Sequence, residues 1–215
     1  AGELYIIDAK DKGISVTELV TVDKTRPSIE LNLDKVEAEL LPGSEKNQEV
    51  INKVLDAGRL MLSADSVGAA QIMLDKAVAY SLERKQFGRV IGSFQAVKHM
   101  CAEMAAELEP CHSMIWHAAH CYDHDPSQAR LMACHTKAHV SEVGKQISKT
   151  STEVHGGMGF TDELGLHYWF KRIGLNRQLL GSPELVREEA ARIQNFDQSP
   201  AEGQVNKEVG NPLLV

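Results

Sequence analysis

Three groups of residues in this chain have types and spacings that could do chemistry. The first is a run of histidines and cysteines: His112, His117, His120, His124, His135 and His139, with Cys111, Cys121 and Cys134 among them. His135 and His139 stand four apart, so on a helix their imidazoles would share a face and could share a metal. No HExxH or paired CxxC pattern accompanies them, and no Asp or Glu completes a recognisable shell. Polar groups on helix faces are the simpler account, and metal ligation is not expected. The second group is "ERKQFG", residues 83 to 88, where Arg84, Lys85 and the following Arg89 surround Phe87 and Gly88. A guanidinium fork suits phosphate oxygens and a phenylalanine can take the flat face of a base. The same charges also suit a helix C-terminus, and both readings stand. The third group is "EVHGGMGF", residues 153 to 160. Helix interiors resist glycine by roughly 1 kcal/mol each. The cluster therefore marks a turn, or a place where backbone N–H groups close on an anion beside a helix start. As a bare pattern it is not a GxGxxG after a strand, and alone it favours the turn.

The elements that must position these residues can be read from periodicity. Residues 4 to 33 hold short β-rich runs, "LYIID", "ISVTELVTV" and "SIELNL", separated by "AKDKG" and "DKTRP". Alternation and Gly/Pro punctuation predict two or three antiparallel strands, the end of a truncated β-domain, over residues 1 to 42. "LLPGSEKN" (residues 40 to 47) reads as a linker. From Glu49 the period changes to about 3.6. Helices are expected over 49 to 83, 94 to 122 and 127 to 155, then a broken helical segment after the glycines. A last helix is expected from Pro183, with Ser182 capping it and Glu184 in its first turn. The fold class is mainly α: an antiparallel up-and-down four-helix bundle over residues 43 to 194. Residues 195 to 215, rich in Asn, Gln, Pro and Gly, read as a flexible tail or an arm lying on a partner.

Composition narrows the function classes. A hydrophobic share of 43% with 25% charged residues is ordinary for a globular protein with a real core. The net charge of -7 argues against a dedicated nucleic-acid binder. No apolar run reaches the ~20 residues that span a bilayer. Four cysteines scattered through helical pattern do not suggest a disulfide framework, so a reducing compartment is expected: bacterial cytoplasm, or else the mitochondrial matrix. "AGELYIIDAK" starts straight in a strand-like run, which suggests that residues once preceded Ala1.

Taken in order, "RKQFG", "FQAVKHMCAEM", "HGGMGF" and a Gly-Ser-Pro helix start resemble the C-terminal half of the flavin-dependent acyl-CoA dehydrogenases. The resemblance covers about residues 1 to 194, the end of that family's middle β-domain and its whole C-terminal bundle. It implies FAD as cofactor, an acyl-CoA thioester as substrate, and a dimer or tetramer assembled through the bundle. By the same resemblance Arg84, Gln86 and Phe87 reach across a subunit interface to a neighbour's FAD, and Gln95 contacts its adenine side. Gly156 and Gly157 let backbone close on the pyrophosphate and adenosine part. Asp56 and Arg59 match positions near the acyl-CoA pocket.

In the family a glutamate removes the α-proton while a hydride passes to the flavin. Its usual place, just before a glycine that precedes the last helix, is Leu180 here; the alternative place, just before the arginine of the first bundle helix, is Gly58. Neither can accept a proton, so the resemblance assigns this chain no catalytic residue. Glu153 also stands where members usually carry a glutamine, and its carboxylate would repel a phosphate. Some members work as α2β2 heterotetramers, notably in bacterial steroid side-chain degradation, with one chain type lacking the glutamate. The expectation is therefore a base-lacking subunit. Its rivals are an active dehydrogenase with a displaced base, Asp56 or Glu184, and a non-enzymatic oligomerisation module. The bundle alone would expose faces that other domains cover, which predicts association.

Overall fold

The computed structural model describes residues 2–45 and 47–196. The chain is mainly helical, a bundle preceded by short antiparallel strands. Strands β1 (Tyr5–Ile7), β2 (Ile14–Leu19), β3 (Ser28–Leu33) and β4 (Ala38–Leu40) precede helix α1 (Gln48–Glu83). A small hairpin, β5 (Lys85–Gln86) and β6 (Arg89–Val90), leads to α2 (Gln95–His124) and α3 (Pro126–His155). A 3-10 turn over Gly156–Phe160 is followed by α4 (Leu166–Gln178) and α5 (Pro183–Ile193).

Each long helix begins and ends for a local reason. Asn47 caps α1, its side-chain oxygen accepting from the Glu49 and Val50 amides. Pro126 opens α3 at a position where its missing N–H is not needed. Gly156 ends α3 at φ 59°, ψ -141°, a conformation closed to side chains. α3 is the central helix, touching α1, α2, α4 and α5. The main core joins Val67, Met73 and Ala77 of α1, Leu108 and Cys111 of α2, Val140 and Ile147 of α3, and Ile173 of α4. Each large side chain buried there contributes about 1.5–3 kcal/mol. α4 and then α5 form the fourth side of the bundle.

The strands differ from the sequence expectation in number. β2 and β3 pair from Ile14↔Leu33 to Leu19↔Ser28, while β4 pairs back to β1, Tyr5 opposite Leu40. The reach of β4 into "LLPG" shortens the linker, because Leu40 ends a strand and Asn47 already serves α1. Val16, Leu19, Ile29 and Leu31 stay exposed on this hairpin. Ser182 sits at the N-cap of α5, yet its hydroxyl bonds no helix amide. Instead it serves the Glu184 carboxylate. The tail, beyond residue 196, lies outside the described residues. Among those described, no helix is long and apolar enough to cross a membrane.

The strands are tied to the bundle by one polar network. Asp65 of α1 accepts from Arg172 at 2.7 to 3.1 Å, from Arg26 at 2.9 Å and from the Asn176 amide at 2.6 Å. Arg26 belongs to the β2–β3 loop, and its second contact is the Asn176 oxygen at 2.6 Å. Arg172 also donates to the Thr25 hydroxyl. Partial burial pushes the Asp65 carboxyl up, but the hydrogen bonds from Arg172 and Asn176 and the charges of Arg172 and Arg26 outweigh it and hold it below 3.8.

Candidate functional site

The end of α1 and the end of α3 meet at one place. Arg84 leaves α1 in extended conformation, and β5 and β6 turn through Phe87 and Gly88, at φ 53° and 77°. Two left-handed residues are what a tight two-residue hairpin requires, and a phenylalanine there is strained by about 1–3 kcal/mol. The turn projects Phe87 outward at 92% exposure. Arg89 lies 3.9 Å over the Phe94 ring, and Phe87 meets Phe94 edge-on.

Beside this hairpin is a cavity of about 470 Å³ lined by Tyr80, Arg84, Gln86, Glu153, Gly156 and Gly157, among others. It brings together four of the six residues that the resemblance assigns to FAD, with Glu153 beside them, while Phe87 stands on the hairpin tip and Gln95 begins α2 on the exposed surface. The three glycines have three different causes. Gly156 needs its positive φ. Gly159 lets the turn press on α3, since a Cβ there would lie 2.7 Å from the Thr152 carbonyl. A Cβ on Gly157 would meet nothing within 4 Å, and its φ is not one that excludes side chains. The fold itself does not need a glycine at 157. Tyr80 and His155 were not singled out by sequence. Their rings stack at 4.7 Å, and His155 Nδ1 donates to the Ser151 carbonyl at 2.7 Å. The clue was the i, i+4 spacing of Tyr80 and Arg84.

A second locus lies where the α4–α5 turn crosses α1. A Cβ built on Gly58 would stand 2.3 Å from the Leu180 Cδ1 atom. The two positions that share no sequence neighbourhood thus share one point in space, and the Leu180 side chain fills it. Leu180 and Gly181 have φ of 56° and 108°. Arg59 Nε donates to the Leu180 carbonyl at 3.0 Å. The other Arg59 donors are taken by Asp56, Glu189 and the Cys134 sulfur, and the residue is only 6% exposed. Lys137, buried in α3, donates to the Asn176 carbonyl near the end of α4. Burial lowers its ammonium to about 8, helped by the charges of Arg59 and Arg177.

The acids nearest this point are engaged. Asp56, 3% exposed, holds Arg59 and Arg130. Burial pushes its carboxyl up despite those two charges. Glu184 is drawn down to about 2, first by the Ser182 hydroxyl, then by its own backbone amide and Arg177. Along α2, the His120 and His124 rings meet at a tilt, 4.8 Å between centroids, and Cys121 Sγ lies 3.7 Å from His117. Among the described residues no group of three or more His, Cys, Asp or Glu could hold a metal ion.

The sequence model for the acyl-CoA dehydrogenase C-terminal domain matches residues 48–194. The chain belongs to the acyl-CoA dehydrogenase family. It is 34% identical over 165 residues to the CarC subunit of the caffeyl-CoA reductase-Etf complex of Acetobacterium woodii, covering 74% of this chain and 43% of that one. It is 30% identical over 169 residues to the acyl-CoA dehydrogenase IpdE2 of Mycolicibacterium smegmatis, covering 79% and 51%. Among solved structures, the Tcur3481-Tcur3483 steroid ACAD superposes with a TM-score of 0.81 at 26% identity, over 91% of this chain and 52% of the other. The chain therefore spans about half the length of the acyl-CoA dehydrogenases it matches.

Proposed function

We propose that this chain is an acyl-CoA dehydrogenase subunit that contributes the helical-bundle part of an FAD site and supplies no base of its own. The observation that carries this is the Gly58–Leu180 contact: both places where the family keeps its glutamate coincide, and an alkyl side chain occupies them. Asp56 is closed in by two arginines and the exposed Glu184 carboxylate is paired with Arg177, which disfavours a displaced base. Arg84, Gln86 and Phe87 disfavour a pure assembly module, because a scaffold has no use for an exposed guanidinium and a strained, outward phenylalanine.

The residues present fit part of a dinucleotide. Arg84 offers a fork to a phosphate, Phe87 and Phe94 offer ring faces and edges to a base, and Gly157 leaves open space where backbone could approach. Glu153, exposed on the cavity's rim, is the discordant member. FAD held there would supply the acceptor for the β-hydride of the thioester. Leu180 cannot take the α-proton, so the carboxylate that does so belongs to a second chain of the family. CarC is a subunit of a complex and the steroid ACAD carries two names, which supports a hetero-oligomer. The acyl-CoA thioester, the dimer or tetramer, and a bacterial cytoplasmic setting are parts of the same proposal.

The test is a pair of substitutions read by flavin content and affinity in the assembled complex. Gly157→Ala is expected to move stability by no more than about 0.5 kcal/mol and to weaken FAD binding about tenfold. Glu153→Gln is expected to strengthen it by removing a like charge. Flavin binding indifferent to both would favour the assembly module and contradict the proposal.

A further inference from the structure

Arg59 grips the Leu180 turn by its carbonyl at residue 180, and something must fix Arg59. Its NH1 bonds Asp56 at 3.3 Å and its NH2 bonds Glu189 at 2.8 Å. Arg130 closes the circle, with NH1 at 3.4 Å from Asp56 and NH2 on the other oxygen of Glu189. Four residues from α1, α3 and α5 thus form a ring of alternating charge that sums to zero. We infer that Arg130 and Glu189 are positioning residues for the Leu180 turn, acting through Arg59.

The physical case is one of geometry and strain. A guanidinium is planar, so pairing both terminal nitrogens fixes the direction of Nε. With Glu189 gone, a nearly buried Arg59 would turn to recover partners, since an unpaired buried charge is costly. The Leu180 carbonyl would then lose its donor. Two consecutive left-handed residues, one of them a leucine, do not hold themselves in place. The space over Gly58 is filled only while the turn stays down on α1. Arg130 and Glu189 lie in none of the motifs that mark the family in this sequence. That the seat faces a thioester rests on the proposed function; that the ring holds the seat does not.

The experiment is methyl NMR of the full chain with labelled leucine and isoleucine, free of flavin, acyl-CoA and partner. Its result is therefore independent of the proposed function. In Glu189→Gln and in Arg130→Met, the order parameter of the Leu180 methyls is expected to fall by about a third, the interval between rigid and flexible groups. The Ile147 and Leu166 methyls of the core should keep theirs. Glu189→Asp keeps the charge on a shorter arm and should fall between parent and Glu189→Gln; it also serves if the latter does not fold. Leu180 methyls as ordered as in the parent would overturn the inference, and so would a loss shared equally by the core methyls.

Discussion

Leu180→Glu, in a complex that carries FAD, is expected to let an acyl-CoA reduce the flavin at this chain's site at least about 10²-fold faster than the parent chain does. A positioned general base contributes typically 10²–10⁴-fold. The substitution puts it where the family keeps it, on a turn already held by Arg59. Gly58 provides the room, since the space that a Cβ there would occupy is now taken by the Leu180 side chain. Only the ionised carboxylate can accept the proton, so the gained activity should rise with pH as the group ionises. Leu180→Gln has nearly the shape of glutamate and accepts no proton; it should gain nothing. An equal gain from glutamine would mean that shape, not basicity, limits this site.

The second large effect is structural. Asp65→Ala is expected to cost about 3 kcal/mol, toward the low end of what removing one partner of a buried charge network costs, because Asp65 is partly exposed. It would leave Arg26, Arg172 and Asn176 without their shared acceptor. The sign of the pH dependence follows from the carboxyl being held below 3.8 in the fold. Its stabilisation is fully present above that value and is lost as pH falls through the folded value. Denaturant melts of parent and variant should thus differ most at neutral pH and converge in acid. Limited proteolysis should cut the variant first between β2 and β3, where Arg26 no longer anchors the loop. Equal stability at neutral pH would remove this network from the account of how strands and bundle are joined.

The long helices were legible because apolar residues recur at helical spacing over about thirty residues, and because Pro126 and Gly156 mark ends that no tertiary contact has to decide. The strand β4 was not, since three residues have no period of their own and take their conformation from pairing with β1. At the cavity, Arg84, Gln86, Gly156 and Gly157 could be named from motif order, whereas the separate causes of the three glycines needed coordinates. Asp56 and Arg59 could be named from motif position, but the ring they form with Arg130 and Glu189 left no trace in sequence. Arg130 and Glu189 look like any charges on amphipathic helices, and Arg59 lies 121 residues from the carbonyl it holds. The same is true of Asp65 and Arg26. Polar networks between distant elements have no local pattern, because each member is chosen by neighbours that only the fold supplies.

The central claim is that this chain brings a flavin half-site and no base. The most direct measurement is anaerobic flavin bleaching by acyl-CoA in a complex whose partner chain has its glutamate replaced by glutamine, so that any remaining base must come from this chain. The flavin's absorption spectrum first confirms that the site is assembled. The result expected is an oxidised flavin that persists in the presence of substrate. Bleaching at enzymatic rates would show that this chain takes the α-proton itself, and would contradict the account.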